Sequence, residues 1–354
     1  MSEKVKVAVV GCGYWGPNLV RNFHQLPTAD LVSCCDIDPQ QLNKIKALYP
    51  NVKTTVNYVD VLADREVEAV ALATPARTHH ELAREALLAD KHVFVEKPLA
   101  MSSKEAEELI ALAQKHSRTL MVGHVFEYNP AVLKIKELIK GGQIGHIYYI
   151  YSNRVNLGRV QSDINALWSI APHDISILLY LLDTMPLSVR AIGATYLNEK
   201  VEDVVFVTMT FPGGVLGHVQ ASWLDPSKVR QMTIVGSQKM IVYDDIADEG
   251  KIKIYDKGVY RKGKEEIYGE FQYKVHSGDI YIPKIEMTEP LHNECAHFIE
   301  CVRTGARPRT DGENGLRVVR VLEAAQASLD RGGVPVELKP SPFSQEDAWL
   351  RPYE

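Results

Sequence analysis

Val5-Lys6-Val7-Ala8-Val9-Val10 runs straight into Gly11-Cys12-Gly13-Tyr14-Trp15-Gly16, and this stretch decides the fold. A short β-branched run reads as a strand. Gly-x-Gly-x-x-Gly follows it, and Asn18–Leu26 then has helical spacing until Pro27. The glycine pattern is weak alone, but strand before and helix after is the context that gives it meaning. Gly11 permits the tight turn. Gly13 lets the backbone approach a pyrophosphate, and Gly16 lets the helix pack close to the strand. The helix N-terminus offers free N–H groups and a partial positive charge to phosphate. Gly11, Gly13, Tyr14, Trp15 and Gly16 are therefore candidate contacts to a phosphate-bearing ligand.

Outward from this turn, strand-like and helix-like segments alternate. Leu31–Cys35, Ala69–Ala73, His92–Val95 and Leu120–Val122 are apolar runs. Pro39–Leu48, Thr78–Ala89 and Ser102–His116 have helical spacing. Such alternation implies parallel strands joined by right-handed crossovers. After residue 123 the pattern becomes mainly strands joined by short turns, with helices near 130–140, 171–182, 291–303 and 315–330. The expected fold class is α/β: an N-terminal Rossmann doubly wound parallel sheet, with a C-terminal α+β domain built on a large, mostly antiparallel sheet. The expected domains are 1–122 for the cofactor, 123–340 for substrate binding and oligomerisation, and a C-terminal arm at 341–354.

Asp36 ends the second apolar run, 20 residues after Gly16. An acid there hydrogen-bonds the adenosine ribose hydroxyls of a dinucleotide and repels a 2′-phosphate, which favours NAD over NADP. The chain has 354 residues and a net charge of −5, without a long basic run, which argues against nucleic acid as partner. Five cysteines without a Cys-x-x-Cys pair suit a reducing, cytoplasmic setting. No apolar stretch reaches the ~18 residues of a membrane span. His292 and His297 are spaced i, i+5, off one helix face, so no metal is expected.

Val95-Glu96-Lys97-Pro98, Ala73-Thr74-Pro75 with His79, Ala171-Pro172-His173-Asp174-Ile175-Ser176, and Gly312-Glu313-Asn314-Gly315-Leu316 through Ser328 together resemble the glucose–fructose oxidoreductase / inositol dehydrogenase (Gfo/Idh/MocA) family. The resemblance covers nearly the whole chain. It implies an NAD-dependent dehydrogenase with Thr74, Pro75, His79, Glu96 and Lys97 at the cofactor and His173 as catalytic histidine. Loss of a hydroxyl proton as hydride leaves carbon requires a base within hydrogen-bond reach. Lys97 is read as binding and polarising the reacting oxygen. His173, titrating near neutrality, is read as the proton acceptor; which of the two holds the proton stays open. Inositol dehydrogenase-like members carry an Asp four residues before this histidine, where this chain has Ser169. Asp163 and Asp174 are the candidate replacements, neither at the matching spacing.

For substrate, Arg154 and Arg159 are candidate anion holders, with Asn156, Asn165 and Trp168 for a sugar ring. By resemblance, Asn129 lies at the mouth of the site, beside Phe126 and Tyr128. Gly-Tyr-Trp-Gly-Pro-Asn and Leu-Trp-x-x-Ala-Pro-His-Asp-Ile-Ser look like the branch handling nucleotide-linked sugars. The leading expectation is oxidation at C3 of a UDP-N-acetylhexosamine. The alternatives are reduction of a 3-keto nucleotide sugar, a free sugar or polyol dehydrogenase, a redox-assisted glycosidase that retains NAD, and a regulator without turnover. A regulator would tolerate loss of Lys97 and a dehydrogenase would not. The alternating strands need covering, and the family often pairs such sheets, so a homodimer or homotetramer is expected.

Overall fold

The computed structural model describes residues 4–158, 164–197, 201–261 and 273–338. They form two compact units. The first is Met1–Tyr128 with Thr288–Arg320, and the second is Asn129–Met287 with Val321–Glu354. The segment 288–320, read from sequence as part of 123–340, thus packs with the N-terminal sheet.

The first unit begins β1 (Val5–Val10), α1 (Gly16–Gln25), β2 (Ala29–Cys35), α2 (Pro39–Leu48), β3 (Lys53–Thr55) and α3 (Tyr58–Ala63). It continues with β4 (Ala69–Leu72), α4 (His79–Leu88), β5 (His92–Glu96), α5 (Ser103–Lys115) and β6 (Leu120–Gly123). The six strands are parallel in the order β3-β2-β1-β4-β5-β6. Reversal of direction at β1/β4 is the topological switch point, beyond whose carboxyl ends ligands bind. β4 and β6 are buried along their whole length, as strands covered on both faces must be. Asp38 caps α2 by accepting from the Gln40 N–H, and Ser102 with Glu105 forms a complete capping box on α5.

The second unit contains α6 (Pro130–Lys140), β7 (Ile147–Val155), α7 (Ala166–Leu182), β8 (Ser188–Ala194), β9 (Val204–Thr210), β10 (Leu216–Ser222), β11 (Val229–Gly236), β12 (Met240–Asp244), β13 (Ile252–Arg261) and β14 (Tyr273–Tyr281). After α8 (Pro290–Thr304) of the first unit come α9 (Gly312–Asp330) and β15 (Val336–Glu337). The sheet runs β14-β13-β12-β11-β7-β10-β9-β8-β15, antiparallel except for the parallel β7/β10 pair. Alternate residues divide its faces. Ile150, Val207, Met209, Val219, Ile234 and Ile241 are buried, whereas Tyr149, Tyr151, Ile192, Phe206 and Leu216 are exposed.

The apolar stripe of α8 explains where it packs. Leu291, Cys295, Phe298 and Ile299 repeat at helical spacing and join the core of Val7, Leu19, Phe23, Ala71 and Phe94. Phe23, Phe94 and Phe298 meet edge to face, with centroids 5.7–6.5 Å apart. Arg21 of α1 also pairs bidentately with Glu289.

Helix α7 starts earlier than its sequence indicated. Asn165 is the N-cap, accepting from the Trp168 N–H at 3.1 Å, and Pro172 lies inside the helix. His173 is therefore an interior helical residue rather than an N-terminal one. Pro172 has no N–H to give the Trp168 carbonyl, so the helix forgoes one bond there. Strands β3, β13, β14 and β15 were not anticipated. The arm at 341–354 lies outside the described residues.

Candidate active site

In the first unit, the glycine turn has the shape a pyrophosphate requires. Gly11 has φ +89°, and a Cβ on it would lie 2.6 Å from the Ala73 carbonyl oxygen. A Cβ at Gly16 would come within 1.9 Å of the Gly11 oxygen, so only glycine lets α1 approach the turn. Around Gly13, by contrast, nothing lies within 4 Å of a Cβ position, which leaves the backbone open to a ligand. Asp36 accepts from the Cys12 N–H at 2.5 Å and the Asp38 N–H at 2.8 Å. A carboxylate has about four lone-pair sites. Asp36 is thus fixed in place and retains acceptor capacity for ribose hydroxyls. Tyr14 is 90% exposed beside the turn. These residues fit NAD.

At the carboxyl end of β5, the indole N–H of Trp15 donates to Glu96 Oε1 at 2.5 Å. Glu96 Oε2 accepts from the Lys97 N–H at 3.3 Å. Burial pushes the Glu96 carboxyl up to about 7, against the opposing Lys97 charge and the Trp15 bond. Thr74, Pro75 and His79 follow β4. Thr78 Oγ donates to the Thr74 hydroxyl, and the Pro75 oxygen accepts from the Thr78 N–H. His79 does not present its ring to a ligand. Both ring nitrogens lie against backbone carbonyls, Pro98 at 2.7 Å and Thr74 at 2.9 Å. The expectation that His79 contacts the cofactor is corrected to a buried strap between two cofactor-side segments.

Sequence reading passed over a buried polar group next to Lys97. Glu96 and Gly123 are register partners on parallel β5 and β6, so Lys97 and His124 follow at the same level. His124 Nδ1 lies 2.6 Å from Asn314 Oδ1, and Asn314 Nδ2 donates to both Glu127 oxygens. Since the Asn314 amide nitrogen faces Glu127, its oxygen faces His124, which carries its proton on Nδ1. Burial lowers His124 to about 4 and raises Glu127 to about 8. Glu294, fully buried, has no hydrogen-bond partner for either oxygen among the described residues. Burial and the charges of Glu96 and Glu127 hold it well above the usual carboxylate range. The helical register of Glu294 among Leu291, Cys295 and Phe298 was the available signal that it points inward.

In the second unit, Arg154 does not reach outward for an anion. It is 6% exposed, and its guanidinium pairs with Asp174, itself 2% exposed. Ser152 donates to the same carboxylate. The anion-holding role expected of Arg154 is therefore replaced by a buried ion pair between β7 and α7, in which Asp174 is engaged by Arg154 and Ser152. Asn129 is likewise structural. Its Oδ1 caps α6 through the Ala131 N–H at 2.9 Å, and its Nδ2 donates to the Tyr243 hydroxyl at 3.2 Å. Asn165 holds Glu202 and Gln326 at 2.7 and 2.9 Å. Trp168 is buried in the first turn of α7. Asn156, just past β7, is half-buried, its N–H donating to the Ser222 oxygen at 3.3 Å. Arg159 and Asp163 lie outside the described residues. Among the described residues, no group of three acids, histidines or cysteines could hold a metal, and no helix is long and apolar enough to cross a membrane.

Known proteins bear on this geometry. Residues 5–124 match the model described as an oxidoreductase family with an NAD-binding Rossmann fold. Residues 132–242 match the GFO/IDH/MocA C-terminal domain. The chain is 25% identical over 349 residues to the uncharacterized oxidoreductase YrbE of Bacillus subtilis (strain 168), spanning 96% of this chain and 98% of that one. It is 25% identical over 256 residues to the UDP-N-acetylglucosamine 3-dehydrogenase of Acidithiobacillus ferrooxidans, spanning 72% and 78%. The solved structure of that dehydrogenase superposes with a TM-score of 0.77 over 94% of this chain and 99% of its own, at 22% identity. The WlbA dehydrogenase of Bordetella pertussis, solved with NADH and UDP-GlcNAcA, gives 0.77 over 95% and 99%, at 23% identity. With both domain models met in order along one chain, on a sheet whose glycine turn is built for NAD, the protein belongs to the Gfo/Idh/MocA family of NAD-binding oxidoreductases.

Proposed function

We propose that this oxidoreductase transfers hydride between NAD and a sugar hydroxyl carbon, C3 of a UDP-linked N-acetylhexosamine. The first unit would bind cofactor, and the second would bind substrate and mediate assembly. Bound NAD supplies the hydride acceptor. Lys97 binds and polarises the reacting oxygen, and His173 takes the hydroxyl proton. The observation that carries the reading is the position of Glu96-Lys97 at the carboxyl end of β5, on the sheet edge where the glycine turn and Asp36 also lie. The likeness to the Acidithiobacillus enzyme supports the choice of substrate.

The exposed face of the second sheet, with Tyr149, Tyr151, Ile192, Phe206 and Leu216, supports a homodimer or homotetramer. Five free, buried cysteines support a cytoplasmic setting.

The test is NADH formation at 340 nm with UDP-sugars and free polyols. Turnover confined to a UDP-N-acetylhexosamine and lost in Lys97→Ala supports the reading. Turnover of a free polyol instead rejects the nucleotide-sugar substrate. No turnover, with NAD retained through purification, rejects the dehydrogenase in favour of a recycling cofactor.

A further inference from the structure

Trp15 is the N-cap of α1, and its carbonyl oxygen accepts from the Asn18 N–H at 2.9 Å. Its side chain crosses to the carboxyl end of β5. The indole N–H can only donate, and it gives its bond to Glu96 Oε1 at 2.5 Å. Glu96 Oε2 accepts from the Lys97 N–H at 3.3 Å. One carboxyl group therefore bridges the nucleotide turn and the backbone at Lys97. Gly123 makes room for it. It is the β6 register partner of Glu96, and a Cβ there would lie 2.9 Å from Oε2 and 3.0 Å from Cδ. The atoms that would have to yield first are the end of a flexible side chain, and Gly123 itself sits in a regular strand. An alanine therefore fits at this position by moving the carboxyl group away from the indole.

We propose that Trp15 and Gly123 form a latch that fixes the Glu96 carboxyl group and through it ties the nucleotide turn to the backbone of Lys97. Both are positioning residues, acting on the reacting edge through Glu96. The indole bond is stronger to a carboxylate than to a carboxylic acid, because an ionised acceptor makes the stronger hydrogen bond. The latch therefore tightens as Glu96 loses its proton. Burial pushes that carboxyl up to about 7, against the opposing Lys97 charge and the bonds from Trp15 and the Lys97 N–H, which brings its titration into the neutral range. Two further titratable groups, Glu294 and Cys295 on α8, feel its charge, and burial holds both well above their ordinary values. His124, the residue after Gly123, is lowered to about 4 by burial and stays neutral through this range.

The kinetic consequence rests on the role proposed for Lys97, whereas the latch itself does not. The experiment is proton–nitrogen NMR of the deuterated full chain, its tryptophan indoles labelled with ¹⁵N, across the neutral pH range. The chain has four tryptophans, and the signal missing in Trp15→Phe is that of Trp15. The expected result is a Trp15 indole proton that titrates with a midpoint near 7 and is flat in Glu96→Gln. In Gly123→Ala it is flat as well, because its acceptor has been displaced. A Trp15 indole that does not titrate in the wild type overturns the latch, whether or not any variant folds. So does a titration that survives in Glu96→Gln or Gly123→Ala. Turnover of UDP-N-acetylglucosamine with NAD gives the second readout. Gly123→Ala should lower kcat about 10- to 100-fold, as a small misplacement at a reacting centre does, and leave KM for NAD unchanged. An unchanged kcat overturns the positioning role. If the wild type does not turn over this sugar, the UDP-sugar reading fails and the indole titration still decides the latch.

Discussion

The carboxyl edge of the first sheet and the β7/α7 layer of the second unit carry their candidate residues in opposite ways. In the first, function is written into backbone: a glycine with φ +89°, a carboxylate bonded to two N–H groups, and a histidine spanning two carbonyls. In the second, Arg154 and Asp174 satisfy each other inside the core. Backbone demands restrict residue type at a fixed spacing and can be read without a structure. A side chain that meets its partner only after folding gives no such notice. The arginine that looked like an anion holder is the clearest case.

The largest test of this contrast is Lys97→Ala. It should lower kcat/KM with a UDP-N-acetylhexosamine by about 10³–10⁴-fold while leaving NADH fluorescence titration near wild type. An equal loss in both would make Lys97 a cofactor residue only. Arg154→Met should come next, costing about 3–5 kcal/mol in urea unfolding because Asp174 is left charged and buried. Unchanged stability with a raised KM would restore the anion-holding role and break the contrast. Asp36→Ala should weaken NADH binding about 10- to 100-fold, as expected on losing hydrogen bonds to a charged group.

The smallest effect is a pH dependence. Glu127 keeps its proton up to about 8 in the folded chain, against 4.5 for an ordinary glutamate. The folded state therefore binds more protons across that window, and stability falls as pH rises through it. In Glu127→Gln this slope should be shallower by up to about 1.4 kcal/mol per pH unit. Parallel slopes in urea titrations at pH 5 to 8 would show that Glu127 ionises normally.

Much of the first unit was legible because strand and helix periods alternate and the glycines have steric jobs. Asp36 was legible from spacing alone. Glu127 and Asn314 were not, since their contact depends on segments far apart in the chain meeting beside β6, and Glu294 gave only its helical register as a sign. The α8 stripe announced burial but not against what. His79 was flagged, but its partners, one nearby at Thr74 and one beyond β5 at Pro98, assign it a different task. On α7, Pro172 read as a boundary, yet the buried apolar run on both sides of it carries the helix through.

The return of Thr288–Arg320 to the first unit sets a schedule for synthesis. Phe23 and Phe94 await Phe298 to complete their cluster, and Arg21 awaits Glu289. A ribosome adds about 5–20 residues per second, so the nucleotide-binding sheet spends on the order of ten seconds with an apolar flank exposed while Asn129–Met287 is made. That interval is a window for chaperone capture, and it closes only when α8 leaves the exit tunnel.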